Sequence, residues 1–254
     1  MNTRTDADVV LVEDRGAVRV ITMNRSEKRN ALNTALTRAL LEGLRAADAE
    51  ESVRCVVLTG AGAGFCAGAD LAEFKDLTPD RRHLVEARAE LTMQLHRAFP
   101  KLAKPVVTAI NGAAMGGGAG LAIAGDLAVM AQGARIGYPE MRHGIVAAIV
   151  MANLVRQIGR KKAFELVSLG DPLNSREAIA FGLVNRVVPD SELLTETMKL
   201  AEKLANMNPA ALRATKRLFH EVADLPLEEA LERGREVNKE MRAFISNAHP
   251  SGKT

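Results

Sequence analysis

Two stretches decide how this chain folds: Gly60-Ala-Gly-Ala-Gly-Phe-Cys-Ala-Gly-Ala-Asp70 and Asn111-Gly-Ala-Ala-Met-Gly-Gly-Gly-Ala-Gly120. The first follows the apolar run Val53–Thr59 and the second follows Pro105–Ile110. Each is a strand signal running through glycines into a helix signal. Glycine lets a backbone approach another group closely, and a helix start offers unpaired N–H donors. Two such turns can aim two backbone N–H groups at one oxygen, the arrangement that stabilises an oxyanion. The competing reading is that both are packing turns where helix and sheet backbones touch. Three consecutive glycines, however, weaken a helix start by roughly 0.5–1 kcal/mol each relative to alanine. Close approach of a ligand accounts for that cost better than loop length does.

Outward from these turns the pattern is α/β. Val9–Glu13, a turn at Asp14–Gly16, and Val18–Met23 read as a hairpin. A helix over Asn33–Asp48 carries Leu36, Leu40, Leu41 and Leu44 on one stripe. A long amphipathic helix is expected over Arg81–Phe99, and a short one over Gly117–Ala124. Asp126–Met130 and Arg135–Gly137 read as short strands, Val146–Ile158 and Lys161–Leu169 as helices, and Leu183–Val188 as the last strand. Beyond Pro189 the pattern is helical throughout: Ser191–Asn206, Pro209–Ala223 and Leu227–Asn247. Pro209 and Pro226 sit at helix starts, where a missing N–H costs little. The expected organisation is a core over residues 1–190 and an all-α region over 191–254. Repeated β-then-α units imply crossover connections and sheet layers.

Composition removes several classes of function. Aromatics are 3% of the chain, with no Trp and one Tyr, too few for a platform that stacks single-stranded nucleic acid. The net charge is +3 and the basic residues are dispersed, so no block tracks a phosphate backbone. Cys55 alternates with apolar neighbours as a small core residue, and no Cys/His cluster suggests a metal. The most apolar stretch, Val106–Met130, is interrupted by six glycines and Asp126, a poor membrane helix. The N-terminus lacks an apolar signal region, and a cytoplasmic location is expected. Gly62–Ala67 matches a dinucleotide-binding fingerprint after a strand. The acidic ribose ligand expected downstream is missing, because Arg81 and Arg82 stand there. A P-loop pattern is absent.

Five motifs occur in order: Asn30-Ala-Leu-Asn33, Phe65-Cys-Ala-Gly-Ala-Asp-Leu71, Lys104-Pro-Val-Val107, Asn111-Gly-Ala-Ala-Met-Gly-Gly-Gly118 and Ala180-Phe-Gly-Leu-Val184. With this order and spacing the chain resembles the crotonase, or enoyl-CoA hydratase/isomerase, superfamily along nearly its whole length. The resemblance implies a spiral of ββα units with a C-terminal helical region used for trimerisation, as a homotrimer or dimer of trimers. It also implies an acyl-CoA thioester as ligand, no separate cofactor, and no nucleic-acid or membrane partner. The oxyanion donors carry over as the N–H groups of Ala69 and Gly117.

The resemblance implies glutamates at two positions. One is Gly120 here; the other, in Gly137-Tyr-Pro-Glu140, makes Glu140 the candidate acid/base. In isolation Glu140 reads as a solvated loop carboxylate, and only its surroundings reverse that. His143 reads as structural or surface. CoA contacts are implied near Lys28, Arg29, Ala31, Ala67, Gly68, Asp70 and Gly116, and at Phe244, which resembles a residue reaching a neighbour's CoA. On local grounds alone, Asp70 reads as the N-cap of a following helix. The run Ile145–Val150 reads either as a wall of the acyl pocket or as the buried face of a helix.

Two reactions fit one carboxylate. In the first, Glu140 manages hydration of a short or branched 2-enoyl-CoA, taking a proton from water and delivering it to Cα. In the second, it shuttles a proton between carbons and moves a double bond. A fold that kept acyl-CoA binding without catalysis is the third reading.

Overall fold

The computed structural model describes residues 9–242. Phe244 and the end of the helix expected over Leu227–Asn247 lie outside them. β1 (Val10–Arg15) and β2 (Val18–Met23) form the antiparallel hairpin, with the turn at Gly16–Ala17. α1 (Thr34–Ala49) begins where the Asn33 side chain accepts from Leu36 N–H, and its leucine stripe is buried. β3 (Cys55–Gly60), β5 (Val106–Ile110), β7 (Leu127–Ala131) and β10 (Arg186–Val188) continue the hairpin's sheet. Its order is β1-β2-β3-β5-β7-β10, parallel from β2 onward. β5 is buried along its whole length, as a strand covered on both faces must be.

A second sheet stands at the ends of these strands. It comprises β4 (Gly64–Cys66), β6 (Ala113–Met115), β8 (Arg135–Gly137) and β9 (Leu173–Asn174), in the order β4-β6-β8-β9. Each of β3, β5 and β7 therefore hands the chain to a short strand of the small sheet, and the pairs stack as turns of a spiral. α2 (Arg82–Lys101) follows the first pair and α3 (Gly117–Ala122) the second. α4 (Ala148–Ile158) and α5 (Arg160–Leu169) follow the third, and α6 (Ser175–Ala180) precedes β10.

The tail is α7 (Leu193–Ala205), α8 (Pro209–Val222) and α9 (Leu227–Glu240). α7 lies across β2, β3, β5 and β7 and closes the core on that side. α8 is held by a buried cation. Lys216 Nζ donates to Asp126 Oδ2 at 2.7 Å and to the Lys104 carbonyl at 2.9 Å, while His220 Nε2 lies 3.2 Å from Asp126 Oδ1. Burial works against the Asp126 charge, but hydrogen bonds from His220 and Lys216 hold its carboxyl below the usual range. Cys55 and Cys66 are both buried free thiols. Among the described residues no helix is long and apolar enough to cross a membrane.

Three local expectations need correction. The first glycine turn does not open a helix: it runs through β4 into a turn and two 3-10 segments, and α2 starts only at Arg82. Asp70 consequently caps no α-helix; its Oδ1 accepts from Ala72 N–H at 3.2 Å within that turn. The last strand is Arg186–Val188 rather than Leu183–Val188, because Gly182, at φ +75°, turns the chain just before it.

Candidate active site

The two glycine turns meet where the sheets change over. Asn111 ties them together: its Oδ1 accepts from Gly60 N–H at 3.3 Å and its Nδ2 donates to Gly62 O at 2.9 Å. Asn30, fully buried at φ +55°, underpins the first turn. Its Nδ2 lies 2.9–3.1 Å from the carbonyls of Ala61, Gly64 and Phe65, and its Oδ1 accepts from Arg25 N–H.

The segments 29–32 and 67–70 run side by side. Ala67 N–H donates to Arg29 O (2.9 Å), Leu32 N–H to Gly68 O (2.7 Å) and Asp70 N–H to Leu32 O (3.1 Å). In this parallel bridge Leu32 pairs with Ala69, which turns the Ala69 N–H away from it. Gly117 is the first residue of α3, where N–H groups have no partner within the helix. Neither N–H finds an acceptor among the described residues. The two peptides are close: a β-carbon on Gly117 would stand 3.9 Å from Ala69 N, and one on Gly68 would stand 3.4 Å from Gly117 N. Ala69 and Gly117 are thus two free, neighbouring donors, one of them at a helix N-terminus.

Glu140 reaches the same place from the turn after β8. Gly116 N–H donates to Gly137 O at 2.8 Å, locking the start of α3 to that strand. A β-carbon on Gly116 would stand 2.8 Å from Glu140 Oε1, so the carboxylate lies against the residue preceding the Gly117 donor. Its Oε2 is buried with no hydrogen-bond partner among the described residues. Burial raises its pKa, only partly opposed by a backbone hydrogen bond and the nearby His143 charge. The hydroxyl of fully buried Tyr138 is likewise unpartnered, and burial with the Glu140 charge keeps it protonated. A half-desolvated carboxylate without a fixed partner is suited to giving and taking a proton.

Other expected residues are distributed as follows. Lys28 and Arg29 are exposed at the edge of the 29–32 segment, Ala31 is half-buried and Ala67 exposed. Asp70 Oδ2 pairs with Arg25 at 2.9 Å, with both side chains mostly buried. His143 is exposed. The run Ile145–Val150 divides: Val146 is 66% exposed, whereas Val150 is buried and packs on Gly120.

Two residues escaped the sequence reading. Arg88 of α2 pairs with Glu73 at 3.1 Å and donates to Leu32 O at 2.9 Å, bracing the carbonyl that orients Asp70 and the Ala69 peptide. His96, also on α2, stands against Gly120. Its only sequence signal is a histidine beside Leu95 and Phe99 on the buried face of an otherwise amphipathic helix. A crevice of about 800 Å³ between Gly16 and α7 is lined by none of these residues.

A spiral of ββα units that converges two free backbone N–H groups and one desolvated carboxylate defines a crotonase-type enzyme. The description enoyl-CoA hydratase/isomerase matches residues 13–249, and the chain belongs to that family. A Thermus thermophilus protein named as an enoyl-CoA hydratase is 42% identical over 85% of each chain. Among solved structures, an enoyl-CoA hydratase from Bacillus anthracis superposes with a TM-score of 0.86 at 32% identity, covering 91% of this chain and 90% of that one. A monofunctional enoyl-CoA isomerase from M. smegmatis gives a TM-score of 0.76 at 31% identity, covering 88% and 98%.

Proposed function

We propose that this enzyme hydrates a short or branched 2-enoyl-CoA. The observation that carries the proposal is the convergence of the unpaired Ala69 and Gly117 N–H groups with a partly desolvated carboxylate, Glu140. The thioester oxygen binds between the two N–H groups and gains negative charge as water adds to Cβ. Fixed donors stabilise that charge without reorganising, and one such donor is worth about 10²–10³ in rate. Glu140 takes a proton from the water and delivers it to Cα of the enolate, returning to carboxylate. The reaction needs no cofactor beyond the CoA of its substrate.

CoA lies along the paired segments 29–32 and 67–70. Lys28 and Arg29 face its phosphates, and Ala31, Ala67, Gly68, Asp70 and Gly116 line its path. The enzyme works as a homotrimer or a dimer of trimers. The exposed Phe219, Leu227 and Leu231 on α8 and α9 support a buried face there.

Double-bond isomerisation is the second reading, favoured by Gly120, which supplies no second carboxylate. The test follows the conjugated enoyl-thioester absorbance with 2-enoyl-CoA and 3-enoyl-CoA, using wild type and Glu140→Gln. Loss of signal from the 2-enoyl substrate supports hydration. Gain from the 3-enoyl substrate without that loss replaces hydration by isomerisation. Tight CoA-thioester binding with no turnover of either would leave a binding protein.

A further inference from the structure

Position 120 is not merely lacking a side chain. A β-carbon there would stand 2.3 Å from Val150 Cγ1 and 2.8 Å from His96 Cε1. No carboxylate can enter the site from this residue, because α4 and α2 already fill the space. Glycine at 120 instead admits an imidazole from the side. His96 Nε2, bonded directly to that Cε1, is buried and has no hydrogen-bond partner among the described residues. Leaving a buried polar atom unpaired costs about 1–3 kcal/mol, so such an atom calls for a partner supplied from outside the fold.

Gly116 and Gly120 are one helical turn apart, joined by the Gly120 N–H to Gly116 O bond at 3.0 Å. Glu140 lies over the first and His96 over the second. Glu140 Oε1 and His96 Cε1 each stand 2.8 Å from where those β-carbons would lie, and four helical residues rise about 6 Å, a spacing on the scale of one water making two hydrogen bonds of about 2.8 Å. We propose, on the hydratase reading above, that His96 is the second water-handling group of this enzyme. Its Nε2 accepts a hydrogen bond from the attacking water, whose other proton goes to Glu140.

The water oxygen bonds to Cβ, and the π electrons move onto the thioester oxygen held by Ala69 and Gly117. Glu140 takes one proton from the water and returns it to Cα as the enolate collapses. The second proton stays on the new hydroxyl, still donated to His96. The imidazole neither gains nor loses a proton overall. Burial pushes it down to about 4, so it is neutral at physiological pH, and in the tautomer protonated on Nδ1 its Nε2 is an acceptor. A neutral acceptor also avoids setting a second negative charge beside a carboxylate that is already desolvated.

The test compares wild type with His96→Phe, His96→Leu and His96→Gln in two reactions. One is hydration of 2-enoyl-CoA. The other is exchange of the Cα protons of a saturated acyl-CoA with deuterated solvent, which uses Glu140 and the two N–H groups but adds no water to the substrate. The apolar variants should lose at least about 30-fold in hydration kcat, within the range for a positioned proton-handling group. Their exchange rate should stay within about threefold of wild type. His96→Gln, which keeps an acceptor, should recover most of the hydration. Hydration within about threefold of wild type in a folded apolar variant overturns the assignment. So does equal loss of both reactions, or a glutamine variant as slow as the apolar ones. Wild-type enzyme that exchanges Cα protons but does not hydrate overturns the hydratase reading itself, and this inference with it.

Discussion

Alanine at Gly68 would disturb both proposed oxyanion donors without removing either. Gly68 sits at φ +91°, where an L-residue is strained by about 1–2 kcal/mol. Its β-carbon would stand 2.6 Å from the Met115 carbonyl oxygen, whereas real contacts of this kind begin at 3.0 Å, so one backbone must retreat by about 0.4 Å. Both neighbours are rigid: Gly68 O accepts from Leu32 N–H at 2.7 Å, and Gly116 N–H, next to Met115, donates to Gly137 O at 2.8 Å. The displacement therefore falls on the peptides of Ala69 and Gly117. A misplacement of about 1 Å costs on the order of 10²-fold, and one donor is worth 10²–10³. Gly68→Ala should lower kcat for 2-enoyl-CoA by roughly 10- to 100-fold, with KM changed less. The strain should lower the melting temperature by about 2–8 °C in a chain of this size. Absorbance kinetics and thermal melts monitored by circular dichroism read both numbers. A variant that melts lower as expected yet keeps kcat within twofold of wild type would refute the assignment of these two peptides.

Gly117→Pro removes one donor at the first helical position, where proline is tolerated, so kcat should fall about 10²–10³-fold with the fold retained by circular dichroism; near-wild-type turnover would exclude the Gly117 N–H as a donor. Glu140→Gln should lower kcat about 10²–10⁴-fold. In the wild type, kcat/KM should fall on acidification with a midpoint above the ordinary carboxylate range, since burial raises this pKa. A raised folded-state pKa gives stability below the unfolded value that is lost as pH rises. Glu140→Gln should therefore melt higher than wild type near neutral pH, with the difference shrinking toward pH ~4; a lower melt at pH 7 contradicts the burial argument. Lys216→Met strands the Asp126 carboxylate beside His220, and breaking such a pair costs about 3–5 kcal/mol. Urea unfolding should show it, and a loss under 1 kcal/mol would mean that His220 and Val106 N–H suffice. Because the lowered Asp126 pKa confers stability that is fully present above its unfolded value and lost as pH falls through its folded value, wild type and Asp126→Asn should converge as pH falls through that folded-state value.

Long periodic segments were legible before any coordinates. The leucine stripe of α1, the apolar runs of β2, β3 and β5, and the proline-started α8 carry their own structural preference. Of the small sheet only β8 was legible, as the short strand Arg135–Gly137. β4 and β6 are three-residue strands, Gly64–Cys66 and Ala113–Met115, made mostly of small residues. Nothing in their alternation marks them, and they exist because the spiral lays them side by side. α6 did carry a signal that went unread: Asn174 and Glu177 form a reciprocal capping box. At the site, the glycine turns announced paired N–H donors on physical grounds, but naming Ala69, Gly117 and Glu140 took the family resemblance. His96 could not be placed without the fold, because its significance lies in facing Gly120, 24 residues further along the chain.

The proposed oxyanion donors are peptide groups, while the proposed proton-handling atoms belong to side chains entering from other elements. On that reading, charge stabilisation is written into the path of the main chain and is indifferent to most substitutions at Ala69. On the same reading, redesign at 96 and 140 alters what happens at Cα and Cβ while the grip on the thioester oxygen stays intact. A chain built this way keeps charge stabilisation and proton handling on physically separate parts of the fold.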